Sequence, residues 1–317
     1  MAHATLNSEN MRDLFGMLLP TRSCDVSSKL LSFALSGRFA FSCMANYANK
    51  NLEFSAFYGK LCLNKIGDDY NFWPFEDINF IIACRKYVSR AQFKVLDSSD
   101  EFNAKVCDYL AGMINLEEVN MAYINVPTYW HEKEPASDRY HKLLTANTNI
   151  STLAVNRLFL HGVQRMPTAV HFPNLTKLAI HEDILSRLNA SKFNRHTYPV
   201  LNTLSFPHTR ISKEGINKLA KFCRIMHRTI SDVEIHISKA HNTYKMERNV
   251  EYMNLICNQF KAIKFNNEFT LTTDVYVEHI DDGTVLEEAG FEMEDNTWWS
   301  CEKEFDDTTI VYNVLIE

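Results

Sequence analysis

Glycine and proline are scarce in this chain, 9 and 8 among 317 residues, which excludes collagen-like and low-complexity structures. Long apolar runs are missing as well. The longest, such as Ile78 to Cys84, fall far short of the roughly 20 residues that cross a bilayer. The opening MAHATLNSENMRDL lacks the charged-then-apolar plan of a secretory signal, so the expected location is cytoplasmic or nuclear, without membrane attachment. The eight cysteines, at 24, 43, 62, 84, 107, 223, 257 and 301, include no C-x-x-C and no compact cluster. That pattern argues against a zinc ribbon or a disulfide scaffold and leaves reduced, buried thiols.

Signatures of catalysis are also absent. There is no G-x-S-x-G, no H-E-x-x-H, no phosphate-binding loop and no glycine-rich dinucleotide turn. Gly59-Lys60 stands without the rest of a phosphate loop, and His131-Glu132 and His181-Glu182-Asp183 lack a second ligand set. The expectation is a protein without catalytic residues, bound metal or cofactor, one that works by binding.

What is present is a foldable composition, 46% hydrophobic and 23% charged, with an uneven charge distribution. The net charge is −6, yet residues 268 to 317 hold 15 acidic residues against one lysine, which leaves the rest of the chain basic. A charge-bearing end of this kind is a solvated terminal cap or a competitor for a partner of the basic body.

Apolar-x-apolar triplets recur along the chain. They fall at Leu61/Leu63, Phe93/Val95, Val119/Met121, Leu158/Leu160, Leu178/Ile180, Leu204/Phe206, Val233/Ile235 and Ile263/Phe265. Several carry a further apolar residue three positions upstream, as in LEEVNM, LTKLAI, LNTLSF, ISDVEI and FKAIKF. This is the L-x-x-L-x-L strand of a leucine-rich repeat: alternate residues enter a continuous core while the residue between them faces out. Between triplets the apolar spacing changes to three or four, as in Asp77 to Arg90, Asp100 to Asn115, Asp138 to Thr145 and Met246 to Gln259, so each unit is expected to be a strand followed by a helix. The expected fold is therefore α/β, an irregular leucine-rich-repeat solenoid with parallel strands.

One stretch is more specific. Residues 201 to 223, LNTLSFPHTRISKEGINKLAKFC, resemble the repeat of F-box and leucine-rich-repeat proteins, with a strand, a short loop closed by Ile211, Ser212 as helix N-cap, and Gly215, Leu219, Ala220 and Cys223 behind it. Residues 19 to 47 resemble a degenerate F-box of the divergent nematode type. Leu19 and Pro20 start it, Leu30, Leu31, Phe33 and Leu35 supply the middle helix, Phe39, Phe41 and Cys43 the next, and Tyr47 closes it. The resemblance implies a substrate-recognition subunit of an SCF-type ubiquitin ligase, whose F-box holds the adaptor subunit and whose repeats hold the target. The adaptor-binding residues would be Leu19, Pro20, Leu30, Leu31, Phe33, Leu35, Phe39 and Phe41. A helical cap packed on the first repeat is the other reading of the same segment.

Three segments follow: a helical F-box-like or capping module over 1–55, irregular repeats over 56–267, and an acidic antiparallel β cap over 268–317. In the last, Phe269 to Ile280 alternates, Asp282-Gly283 is a two-residue hairpin signal, Thr284 to Glu287 returns, and a second pair turns at Asp306-Asp307. Trp298 and Trp299 are adjacent, so one of them faces inward.

The outward positions beside the apolar ones form the expected concave row, where a protein target would sit. They include Asn120, Phe159, His161, His181, Ser205, Glu234, His236 and Lys264. Three histidines in one row raise a metal or pH-sensing cluster, against which stands the plainer reading of adaptable polar contacts. Nucleic acid bound through the basic body is the runner-up partner, disfavoured because the densest basic group, Lys213 to Arg228, falls on an expected outer helix.

Overall fold

A computed structural model of the chain describes residues 32–57, 60–66, 78–93, 108–113, 115–121, 143–156, 171–181, 193–237, 246–280, 283–295 and 297–316. The protein is mixed α/β with mostly parallel strand pairing, and it divides into two compact units, Met1–Ile150 and Ser151–Glu317.

The first unit holds α1 (Arg38–Asn51), β1 (Leu52–Phe57), β2 (Lys60–Lys65), α2 (Ile78–Cys84), β3 (Arg90–Phe93) and β4 (Glu118–Met121). Its strands run in the order β4-β3-β1-β2, parallel except for the antiparallel β1–β2 pair. Helix α1 buries Ala40, Cys43, Met44, Tyr47 and Ala48, the spacing of one helix face. Arg85 lies 4.6 Å over the Tyr109 ring, which meets Phe54 of β1 edge-on at 5.7 Å, and donates to the Tyr109 carbonyl. The buried Asn147 amide donates to the carbonyls of Leu110 and Leu143, so its polar group is satisfied without water.

The second unit holds β5 (Thr152–Asn156), β6 (Lys177–His181), β7 (Thr203–Phe206), α3 (Lys213–Met226), β8 (Asp232–Ile237), α4 (Met246–Phe260), β9 (Phe269–Val277), α5 (Thr284–Glu288), β10 (Glu292–Asp295), β11 (Trp298–Phe305) and β12 (Thr308–Ile316). Strand order is β10-β11-β12-β9-β8-β7-β6-β5. From β5 to β9 and on to β12 every pairing is parallel, while β12–β11 and β11–β10 are antiparallel.

The parallel stack has a repeated local cause. Leu175, Leu201 and Ile230 are wholly buried, each three residues ahead of the first inward residue of β6, β7 and β8. They hold the entering chain so that a single carbonyl of the preceding unit accepts from two successive amides. Ser151 O takes Thr176 and Lys177, Thr176 O takes Asn202 and Thr203, and Asn202 O takes Ser231 and Asp232. The inward residues Leu153, Leu178, Leu204 and Val233 then fall opposite one another. Each such side chain contributes roughly 1.5 to 3 kcal/mol by burial, before the cost of ordering the chain.

The 201–223 segment folds as its pattern predicts. Ile211, Leu219, Ala220 and Cys223 are buried, and the Ser212 hydroxyl accepts from the Gly215 amide at 3.1 Å, capping α3. On the inward face α3 and α4 cover the strands. Phe222 meets Phe193 edge-on, Phe260 stacks on Phe269, and the Tyr312 hydroxyl donates to Asn249.

Several expectations are overturned. In the first unit, β1 went unpredicted, and β2 pairs antiparallel to it, with Cys62 buried rather than outward and its thiol on the Ser55 carbonyl. Strand β3 begins at Arg90 with Ala91 buried, ahead of the Phe93/Val95 triplet, whose Val95 lies outside the described residues. The triplet at Leu158/Leu160 also lies outside them. The strand here is Thr152–Asn156, with Leu153 and Val155 inward, and this anchor gives even steps of 25, 26 and 29 residues to β6, β7 and β8.

Ile263 and Phe265 are not on a strand. They are buried in the connection after α4, where the Ile263 amide bonds to the Phe260 carbonyl and the Phe265 ring stacks 3.8 Å from Phe269. The next strand is β9, whose nine residues alternate in burial without a break and pair parallel on both sides. The C-terminal cap is therefore not wholly antiparallel. Gly283 is not a hairpin residue either. It precedes α5 with helical φ −68 and ψ −21, and a Cβ there would meet the Trp299 indole at 3.0 Å, so glycine serves close approach rather than a turn. Antiparallel pairing is right for β11 and β12, which turn at Asp306-Asp307 with Asp306 at φ 46.

Candidate interaction face

Helices occupy one side of the strands of the second unit, and residues of the other parity form an open side. Strand registers place these residues in rungs. Thr152, Lys177, Thr203, Asp232, Thr270, Thr309 and Glu304 make one rung. Ala154, Ala179, Ser205, Glu234, Thr272, Val311 and Glu302 make the next. A third holds Asn156 and His181 on β5 and β6, then His236, Asp274, Asn313, Ser300 and Glu292 from β8 to β10. On β5, β6, β8 and β9 these positions alternate half-exposed with buried ones.

One polar pair crosses between rungs and one polar network runs along the third. Lys177 Nζ reaches both carboxylate oxygens of Glu234, at 3.1 and 2.9 Å, spanning β7. Ser300 donates to Asn313 at 2.9 Å, Asn313 donates to Asp274 at 2.8 Å, and Asp274 receives His236 Nδ1 at 3.0 Å. The His236 side chain is 32% exposed and that of Asp274 17%.

The hydrogen bond to Asp274 raises His236 above its ordinary value, outweighing partial burial. Burial alone would raise Asp274, but the hydrogen bonds from His236 and Asn313 outweigh it and hold the carboxyl below its ordinary value. His181 goes the other way. Burial and the neighbouring His208, with ring centroids 5.9 Å apart, push it down to about 4. Chemically, the row offers a neutral imidazole, an imidazole poised to carry charge, and fixed donors and acceptors. Its serine donates to Asn313 rather than to His236, so the Asp274–His236 pair has no nucleophile from Ser300.

The expected target-binding residues divide as follows. His181, Glu234 and His236 are half-exposed on the open side, and Ser205 shares that side but is almost covered. Asn120 is half-exposed on β4 of the first unit, opposite Gln92. Lys264 is exposed, but in the connection after α4 rather than on a strand. Phe159 and His161 lie outside the described residues. His181 and His236 are separated by β7, roughly 9 to 10 Å across two strand spacings, and His181 pairs with His208 instead. Among the described residues no group of three His, Cys, Asp or Glu is placed to hold a metal.

Of the expected adaptor-binding residues, Leu19, Pro20, Leu30 and Leu31 lie outside the described residues. Residues 32–35 are helical and end at Ser36, whose amide and hydroxyl both bond to the Phe33 carbonyl; α1 then starts after Gly37. Leu35 is 70% and Phe39 50% exposed, whereas Phe33 and Phe41 are half-buried, with Phe41 edge-on to Tyr87 at 5.5 Å. The exposed and half-buried members of this set therefore differ.

Sequence reading missed Lys177, Asp274, Asn313 and Ser300. The alternation over Phe269–Val277 is the signal for Asp274, which faces His236 once that segment pairs with β8; Lys177 directly precedes the inward Leu178 of β6, and Asn313 and Ser300 follow only from the pairing of β12 and β11. No family model matches the chain, and no curated protein and no solved structure matches it significantly. Among the described residues, no helix is long and apolar enough to cross a membrane.

Proposed function

We propose that the protein is an irregular leucine-rich-repeat protein that works by binding a protein target, as the substrate-recognition subunit of an SCF-type ubiquitin ligase, and that it catalyses nothing itself. The observation that carries the binding half is the open side of the strands. Parallel units that bury one face under helices leave a half-exposed polar row on the other, and such rows are where repeat proteins take partners. His181, Ser205, Glu234 and His236 are its contacts. The ligase half draws on the F-box-like stretch at 19–47 and on Leu35 and Phe39, two exposed apolar side chains flanking the Ser36–Gly37 break.

The test is co-purification with the adaptor subunit, comparing the natural chain with a Leu35→Asp, Phe39→Asp variant. Loss of the adaptor with an unchanged melting temperature supports the ligase role. Equal recovery, or no recovery with either chain, removes it and leaves an interaction scaffold without a ligase role. A nucleic-acid partner is the weaker reading, because the open side carries Asp232, Glu234, Asp274, Glu302 and Glu304.

A further inference from the structure

The β9–β12–β11–β10 end of the open side differs from the rest in two respects at once. The first is apolar. Register places Trp298, Leu315 and Tyr276 in one rung across β11, β12 and β9, with Trp298 39% exposed and the other two half-exposed. Strand parity requires this: Trp299 and Cys301 alternate inward and are buried, which turns Trp298 outward. The second is charge. Glu302 and Glu304 follow Trp298 on the same side of β11, Glu292 stands opposite Ser300 on β10, and all three are exposed. The lysine of this region, Lys303, has the opposite parity, so it does not neutralise them across the face.

We infer that this face docks a cationic protein segment, with an apolar side chain of the partner on the Trp298–Leu315–Tyr276 rung and basic side chains on Glu292, Glu302 and Glu304. The inference rests on the reading of the open side as a partner-binding surface, and it names the partner's chemistry. Charge complementarity selects the occupant: a surface of this sign repels nucleic acid and acidic proteins, while arginine and lysine neutralise it. A half-exposed tryptophan contributes anchoring area at little entropic cost, and tryptophan is among the residues that dominate binding energy when covered. The acidic end of the chain is then part of the recognition surface rather than a solvated terminus.

The probe is a fluorescein-labelled peptide of alternating arginine and leucine, compared by polarisation with its glutamate–leucine counterpart, on the full chain at low and high salt. The arginine peptide is expected to bind and the glutamate peptide not to. A Glu292→Lys, Glu302→Lys, Glu304→Lys variant should weaken binding about tenfold or more at low salt, and Trp298→Ala about tenfold at either salt, both with an unchanged melting temperature. Equal binding of the two peptides, binding of neither, or an arginine peptide indifferent to Trp298→Ala would overturn the inference, the last because it reports charge attraction alone. A captured target lost on substituting His181 and Glu234 but retained in the charge-reversed variant also overturns it and leaves the proposed function standing. Peptide binding as expected, with captured partners indifferent to His181 and Glu234, upholds it and removes the β6–β8 contacts instead.

Discussion

Nδ1 of His236 lies 3.0 Å from a carboxylate oxygen of Asp274, and the two residues stand opposite each other on the parallel strands β8 and β9. Each stabilises the charged form of the other, so the pair has a defined pH window. His236, raised in the folded state, contributes stability that is complete below its unfolded value of about 6.5 and is lost as pH rises through the folded value. Asp274, lowered, contributes stability present above about 3.9 and lost as pH falls through its folded value. Replacing Asp274 with Asn should therefore cost about 1 kcal/mol near pH 5.5 and less near pH 9. Urea midpoints at the two pH values check this, and a cost independent of pH would show that the pair is not charged.

His181 has the opposite sign. Its folded value of about 4 lies below the unfolded one, so the unfolded chain binds the extra proton and stability falls as pH drops from about 6.5 towards 4. Histidine resonances should show this directly, with His181 titrating well below His236. A His181→Gln chain should lose less stability than the natural chain between neutral and mildly acidic pH.

The repeat core predicts a graded mutational response. Leu204→Ala, at a wholly buried position, should cost about 2 to 5 kcal/mol, and Ser212→Ala, which removes the α3 cap, about 1 kcal/mol. Lys177→Met should cost under about 1 kcal/mol, since its bidentate pair with Glu234 is more than a third exposed. Thermal denaturation of the three variants gives the order, and a Lys177 effect as large as that of Leu204 would contradict it.

Gly283→Ala should destabilise by about 1 to 3 kcal/mol although its backbone is helical, because the new methyl meets the Trp299 indole at 3.0 Å and the ring is held in the core. A paired Trp299→Leu change should recover part of the loss. If Gly283→Ala is neutral, the helix and the indole are not in close approach.

These residues also show how far the fold was legible. Leu201 to Cys223 could be read because strand alternation, an upstream apolar residue, an N-cap and helical spacing all agreed over one short stretch. The triplet Leu158/Leu160 lies outside the described residues, whereas Ile150, Leu153 and Val155, which carry the full upstream-apolar pattern, are buried at and just before β5. Ile263 and Phe265 misled because apolar residues that anchor a helix-to-strand connection have the same spacing as those on a strand. The polar network from His236 to Ser300 depends on β9 and β12 pairing parallel across a long sequence gap, and no local pattern encodes that pairing.

The central claim is that the open side of β6 to β8 binds a protein. Quantitative affinity capture compares the natural chain with a His181→Ala, Glu234→Arg, His236→Ala variant of matched melting temperature. The account predicts a defined protein partner recovered with the natural chain and depleted at least about tenfold with the variant. A partner set unchanged by the variant would contradict it.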